Sequence, residues 1–333
     1  MKKIVTVLFT VFMIGYTGAL NAQVDPHFSQ YYVYPMQLNP ALTGTMNGDY
    51  RVTAIYRNQW NNITNAFSTA GVSADFATKK NINFGVNILR QTAGDGGYTY
   101  TNGMASVSYT GIKFGAAGNH RISLALQGGF IGRRFDVTKF KGGEQWVPLI
   151  GYTSTLPLNE MLSKTSATVF DAGAGIAYYD ASVDKKVNFF AGFSASHLTR
   201  PEEPFLQGGN KMTLPVRYSL HAGARIYVSE GTYFVPNALY TIQGNASEKM
   251  VGGYMQLAAN EVTDFMFGVN YRFKDAIAPY VGLVYNNLAI GASYDINMSQ
   301  LGKMARGSNS FEISLTLLGK KTETVDYFKC PRF

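Results

Sequence analysis

Phe311-Glu312-Ile313-Ser314-Leu315-Thr316-Leu317 alternates apolar and polar side chains with a period of two, the pattern of a strand whose two faces meet unlike surroundings. The pattern recurs upstream. Leu288, Ile290, Ala292, Tyr294 and Ile296 alternate with Ala289, Gly291, Ser293, Asp295 and Asn297, and Phe265, Phe267, Val269, Tyr271 and Phe273 alternate with Met266, Gly268, Asn270 and Arg272. Ile82, Phe84, Val86 and Ile88 do the same near the front of the chain, and a long case runs from Leu214 to Val228. Such segments predict strands near 49–58, 66–76, 82–90, 99–111, 120–131, 168–179, 187–198, 214–228, 232–243, 248–258, 264–273, 277–285, 288–297 and 308–318, about fourteen in all. Most are close to the roughly nine to eleven residues a tilted strand needs to cross a bilayer.

Alternation alone leaves open which face is outside, because a soluble barrel or sandwich buries the same stripe. Loop lengths separate the cases. The connections after odd-numbered strands include the long ones, near 59–65, 91–98, 132–167 and 199–213, whereas those after even-numbered strands are short, as in Ser229-Glu230-Gly231 and Asn286-Asn287. Lys274-Asp275-Ala276 is a short exception. Short turns at one rim and long loops at the other mark an outer-membrane barrel, and in a bilayer the sheet must close because no edge can stay unpaired in lipid. The fold class read here is therefore all-β, a transmembrane antiparallel barrel.

Composition agrees. Aromatics are 14% of the 333 residues, Gly is abundant at 35, and mean hydropathy is −0.06, with no later run approaching eighteen apolar residues. Each barrel strand shows lipid only alternate residues, so hydropathy averages out. The chain opens with Lys2 and Lys3, an apolar run from Ile4 to Ile14 and small residues up to Ala22, the layout of a secretory signal peptide too short to span a membrane. Cleavage is expected after Ala22, and without a cysteine there a lipoprotein anchor is not expected. The organisation read from these features is a signal peptide over 1–22, a non-strand segment over 23–48, a barrel over 49–318 and a tail over 319–333. The formal charge of +8 falls to +6 without Lys2 and Lys3, and the remaining basic residues are scattered, which gives nucleic-acid binding no support. One cysteine, Cys330, allows no internal disulfide.

With the apolar face on lipid, Arg51, Arg57, Arg217, Arg225 and Arg272 point inward, as do Asp171, Asp295 and Glu312. Turning one strand over would place Arg217 and Arg225 in hydrocarbon, at about 2–4 kcal/mol for each arginine near the midplane. These groups either select an ionic solute or pair across the lumen and fill it. The segment 23–48 carries Phe28, Tyr31, Tyr32, Tyr34, Met36 and Leu38, an apolar load unsuited to a solvated tail, and is expected to pack into or across the periplasmic mouth.

Asp25-Pro26-His27-Phe28-Ser29-Gln30-Tyr31, then Leu38-Asn39-Pro40-Ala41 with Gly44, then Tyr56-Arg57-Asn58-Gln59-Trp60, closely resembles the PorP/SprF family of Bacteroidetes outer-membrane proteins, as does the ending Cys330-Pro331-Arg332-Phe333. The resemblance covers nearly the whole mature chain. It implies a role in type IX secretion and gliding motility, with a secreted surface protein, often a large adhesin, and other secretion components as partners. Phe333 lies well beyond the last strand, so Leu317 and Leu318 are the better candidates for a barrel-assembly signal.

Other chemistry is thin. His27, His120, His197 and His221 lack ligand spacing, so no metal or other cofactor is expected. Ser182-Val183-Asp184-Lys185 lacks the companion motif of a Ser-x-x-Lys enzyme, and no nucleophile and base fall together, so no enzymatic activity and no small-molecule substrate are expected. Cys330 is read as part of a docking tail, with a redox or cross-linking thiol as the alternative. The 132–167 loop, with Phe140, Trp146, Leu149, Tyr152 and Leu156, either closes the barrel or, together with Phe205 of the 199–213 loop, forms a docking surface. A porin-like solute channel is the competing function.

Overall fold

In hydrocarbon every backbone N–H and C=O must find a partner inside the sheet, which only a closed sheet allows. The computed structural model describes residues 25–60, 67–93, 97–115, 118–139, 142–156, 164–183, 185–202, 213–299 and 308–319, and in them the sheet is closed. Its strands are β1 (Tyr50–Gln59), β2 (Phe67–Phe76), β3 (Ile82–Ala93), β4 (Tyr98–Phe114), β5 (His120–Arg134), β6 (Ser166–Asp180) and β7 (Val187–Ser196). They continue as β8 (Arg217–Ser229), β9 (Thr232–Gln243), β10 (Ala246–Ala258), β11 (Thr263–Arg272), β12 (Ala276–Tyr285), β13 (Leu288–Asn297) and β14 (Ser310–Gly319). Each pairs antiparallel with its neighbour in sequence, and β1 closes on β14 in a register that sets Val52 opposite Leu317 and Arg57 opposite Glu312. Phe84, Val86, Ile88, Phe267 and Ile313 stand outward, while Asn83, Asn87 and Ser314 are buried inside.

These fourteen strands match the predicted ones to within a few residues, with an instructive difference at β8. The alternation from Leu214 predicted a lipid-facing start, but the strand begins at Arg217, and Leu214 is buried with Phe28 and Tyr34. Pro215 has no N–H for the ladder and restricts the residue before it, so the period-two pattern there is not a strand pattern.

The rim where β1 begins and β14 ends is called the near rim. Its connections, 77–81, 115–119, 181–186, 230–231, 259–262 and 286–287, are all short. The far rim carries the longest, 135–165, 197–216 and 298–309, as well as two tight turns at 244–245 and 273–275. Within the longest, Trp146–Val147 pairs with Gly151–Tyr152 as a small hairpin outside the barrel wall.

Residues 25–48 lie inside the barrel. Gly44 and Thr45 sit at the near rim beside Asp75 and Arg51, whereas Asp25 reaches His197, just past the far end of β7. The segment thus runs the length of the lumen, beyond the single mouth expected from sequence. A helical turn, Pro35–Leu38, and a 3-10 turn, Pro40–Leu42, form its middle, each opened by a proline at a position whose N–H has no helical partner.

Candidate functional site

Ser29 lies in the far half of the lumen, against the arc of wall formed by β11, β13, β14 and β1. Its hydroxyl donates to Asp295, with Oδ1 and Oδ2 at 2.7 and 2.8 Å, and accepts from Arg57 at 3.1 Å and Arg272 at 3.0 Å. One donor and two acceptor sites are the full capacity of a hydroxyl, so this group is saturated. The backbone N–H groups of Ser29 and Gln30 donate to the two oxygens of Glu312, at 2.6 and 2.9 Å. Arg57 also donates to Glu312 and, at 3.0 Å, to Asp295, which takes Arg272 at 2.6 Å. Arg272 donates in addition to Asp275. Buried charges are costly unless paired and hydrogen-bonded, and here strands β1, β11, β13 and β14 supply groups that neutralise one another around one serine.

Gln30 extends this contact. Its amide donates to Ser293 Oγ at 3.1 Å and its carbonyl accepts from Ser314 Oγ at 2.7 Å. Tyr31 Oη donates to Asn237 Oδ1 at 2.7 Å, on β9, further round the wall. The rings of Tyr31 and Tyr32 then pack edge to face, with Tyr32 also against Tyr254 and Tyr280. Phe28 and Tyr34 pack together on the other side with Leu89, Tyr100 and Met104.

Asn39 fastens the middle. Its Oδ1 caps the 3-10 turn by accepting from Ala41 N at 2.9 Å, and its Nδ2 donates to the carbonyls of Ile176 and Phe193 at 3.0 and 3.3 Å. His221 Nε2 lies 3.2 Å from the same Nδ2. The approach is possible because Gly175 faces it, where an added Cβ would overlap Asn39 Oδ1. At the near rim Arg51 forms a two-pronged pair with Asp75, at 3.0 and 2.8 Å, and caps the carbonyl of Leu42 at 3.1 Å. Gly44, at φ +71, turns the chain so that its N–H reaches Asp75 at 2.7 Å.

At the far end His197 lies between two carboxylates. Asp171 is 2.6 Å from Nδ1 and Asp25 is 2.7 Å from Nε2. Burial disfavours the imidazolium, but Asp25 and Asp171 outweigh it and raise its pKa to about 9, so both ring nitrogens donate. Burial likewise pushes the Asp25 carboxyl up, and His197 with Arg217 brings it down to about 2. Thr199 Oγ1 donates to Asp171 at 2.9 Å.

The residues singled out from sequence thus fall into groups. Phe28, Ser29, Gln30, Tyr31, Asn39, Gly44, Arg51, Arg57, Asp171, Arg272, Asp295 and Glu312 join the fastening just described. Arg217 keeps a looser contact with Asp25, at 3.7 Å, and Arg225 stacks 3.6 Å above the ring of Tyr233. Tyr56 and Asn58 stay near the barrel's outer surface, where Tyr56 accepts from Ser68 at 3.1 Å. Pro26, Gln59 and Trp60 line a cavity at the far rim. In the hairpin, Trp146 and Ile150 are 64% and 77% exposed, Leu149 is fully exposed and Tyr152 is exposed, while the Leu156 carbonyl accepts from Gln145 at 2.9 Å. The exposed side chains of this hairpin are not buried in the lumen. Phe140, Phe205, Cys330, Pro331, Arg332 and Phe333, and the stretch expected to be a signal peptide, lie outside the described residues.

Sequence reading missed Asp75, His197 and His221 as partners of the lumenal segment. Strand parity offered a signal for Asp75, which lies on the inward face of β2. His197 had none, being one residue past a strand end at φ +60. Among the described residues no group of His, Cys, Asp or Glu side chains is arranged to hold a metal ion, and no helix is long and apolar enough to cross a membrane.

No curated protein matches the chain. Among solved structures, the Pseudomonas putida toluene transporter TodX superposes with a TM-score of 0.51 at 8% identity, covering 89% of this chain and 94% of that one. The Ralstonia pickettii toluene transporter TbuX gives 0.50 at 9% identity, with 86% and 94% covered. Likeness at such identity is one of barrel architecture alone. The stretch 20–317, which takes in the lumenal segment and nearly all of the barrel, matches the family described as type IX secretion system membrane protein PorP/SprF, and this chain belongs to that outer-membrane barrel family.

Proposed function

We propose that this barrel handles a specific secreted protein at the outer membrane, assisting its export or its retention on the surface, with a large adhesin of the gliding-motility type as the partner class. One observation carries the reading: the lumen is occupied along its length by the chain's own residues 25–48, pinned by hydrogen bonds to buried charged wall groups and by the Asp25–His197 pair rather than loosely packed. Such a filling is at odds with an open, porin-like pore. With the near rim periplasmic, the far rim and its hairpin face the exterior, and Trp146, Leu149 and Ile150 offer the partner an apolar contact with Tyr152 and Leu156 beside it. Phe140 and Phe205 belong to the same docking proposal. Exposed aromatic and aliphatic clusters are the usual anchors of protein contacts.

Planar-bilayer recording tests the first half. Silence is expected, and large stable conductance in the intact protein would return the solute channel to first place. Deleting residues 141–160 tests the second. The exported partner is expected to be lost from the cell surface while the barrel still assembles, and wild-type surface levels would transfer the docking role to the tail that ends in Phe333.

A further inference from the structure

The far rim holds a cavity of about 380 Å³ that none of the fastening contacts explains. Asp25, Pro26 and His27 of the lumenal segment and Gln59 and Trp60 at the end of β1 meet there, so two motif blocks distant in sequence line one space. Two buried polar atoms of these residues have no hydrogen-bond partner among the described residues: Oδ1 of Asp25, a residue only 5% exposed, and Nε2 of His27. A buried group left unpartnered bears its full desolvation penalty, which a ligand with matching groups would relieve. Trp60 supplies a further sign. It holds φ at +62, a conformation bulky residues rarely adopt and one that clusters at ligand-binding positions, and its ring stands edge to face with Phe67 at 5.1 Å.

We propose that this cavity binds a neutral saccharide. The volume lies toward the lower end of the roughly 300–1,000 Å³ typical of small-ligand sites. Its charges leave little room for an ionic ligand: Arg272 is already committed to Asp295 and Asp275 with the buried Glu248 carboxylate close by, and Arg217 faces Asp25. What remains is a mixed set of donors and acceptors, with the amides of Gln59, Gln91 and Gln243 and the hydroxyl of Thr241 around the wall. Hydroxyls that both donate and accept suit such a set, since each can adapt to whichever group it meets. The Trp60 and Phe67 rings give the apolar C–H face of a sugar ring a surface to lie on. The ligand would be held, not transformed.

The chain has two tryptophans, so Trp146→Phe leaves Trp60 as the sole reporter. The full-length barrel carrying that change, in a sugar-free zwitterionic detergent, would be titrated with maltose, lactose, mannobiose and chitobiose, with acetate and trialanine as ionic and peptide probes. Saturable change in Trp60 emission with at least one disaccharide is expected. Gln59→Ala should weaken it about tenfold or more, and Thr241→Phe, which fills the cavity from the inward face of β9, should abolish it. Heat-modifiable gel migration identifies folded barrels, so either variant suffices if the other misfolds. The proposal is overturned if no disaccharide gives a saturable signal, if the folded variants bind as the parent does, or if acetate or trialanine alone binds.

Discussion

Two non-strand regions of this molecule carry a similar apolar load and have opposite fates. Residues 25–48, with Phe28, Tyr31, Tyr34, Met36 and Leu38, are buried in the lumen, whereas the hairpin at 146–152 holds Trp146, Leu149 and Ile150 out into solvent. Apolar content does not distinguish them; polar complementarity does. Ser29, Gln30 and Asn39 each find wall groups that hold them, while in the hairpin region the buried side-chain amide of Gln145 is spent on the loop's own Leu156 carbonyl. A segment enters a polar-lined lumen when most of its hydrogen-bonding groups are matched there, because each buried group left unmatched costs about 1–3 kcal/mol.

The sharpest way to break this contrast is Arg57→Ala. It leaves Asp295 and Glu312 buried beside each other with one partner gone, a defect worth about 3–5 kcal/mol. A lower melting temperature in detergent, together with proteolytic cleavage within residues 25–48, is the expected outcome; an unchanged protease pattern would mean that the lumenal segment is held by apolar packing alone.

A smaller loss is expected from Asn39→Ala, which removes the cap of the 3-10 turn and two contacts to wall carbonyls. About 1–3 kcal/mol is the expected range, read as a shift of the denaturant midpoint. Gly175→Ala should mimic it from the wall side by displacing the same side chain, and the two changes combined should cost less than their sum.

The far-rim contact of Asp25 sharpens the contrast through pH. His197 is raised from 6.5 to about 9, so its pairing with Asp25 and Asp171 is complete below its ordinary range and is lost as pH rises through about 9. Asp25 is lowered from 3.8 to about 2, so its share is present above its ordinary range and is lost as pH falls through about 2. Protease sensitivity of the first lumenal residues should therefore climb between neutral pH and pH ~10 in the parent and stay flat in His197→Gln.

Smallest in stability is the hairpin. Leu149→Ser with Ile150→Ser should shift the melting transition by no more than about 0.5 kcal/mol, since both side chains are in solvent. The same pair is expected to lower surface retention of the exported partner, which is where the proposed difference in role becomes measurable.

The sequence by itself determined the wall. Lipid outside and polar groups inside impose a period of two on every strand, so Phe311 to Leu317 and its counterparts declared their positions, their faces and the rim that bears the long loops. Inward charges such as Arg57 and Glu312 followed from the same parity. The false start at Leu214 came from two or three residues that alternate by chance beside a proline. Only the tertiary structure decided what those charges meet. Ser29 and Glu312 stand 283 positions apart, and His197 reaches Asp25 across 172, so their pairing depends on the curvature and register of the closed barrel rather than on any local pattern. For the same reason the path of residues 25–48 through the whole lumen was not legible in a segment without periodicity: its course is set by hydrogen-bond matching to a wall that exists only once the barrel has closed.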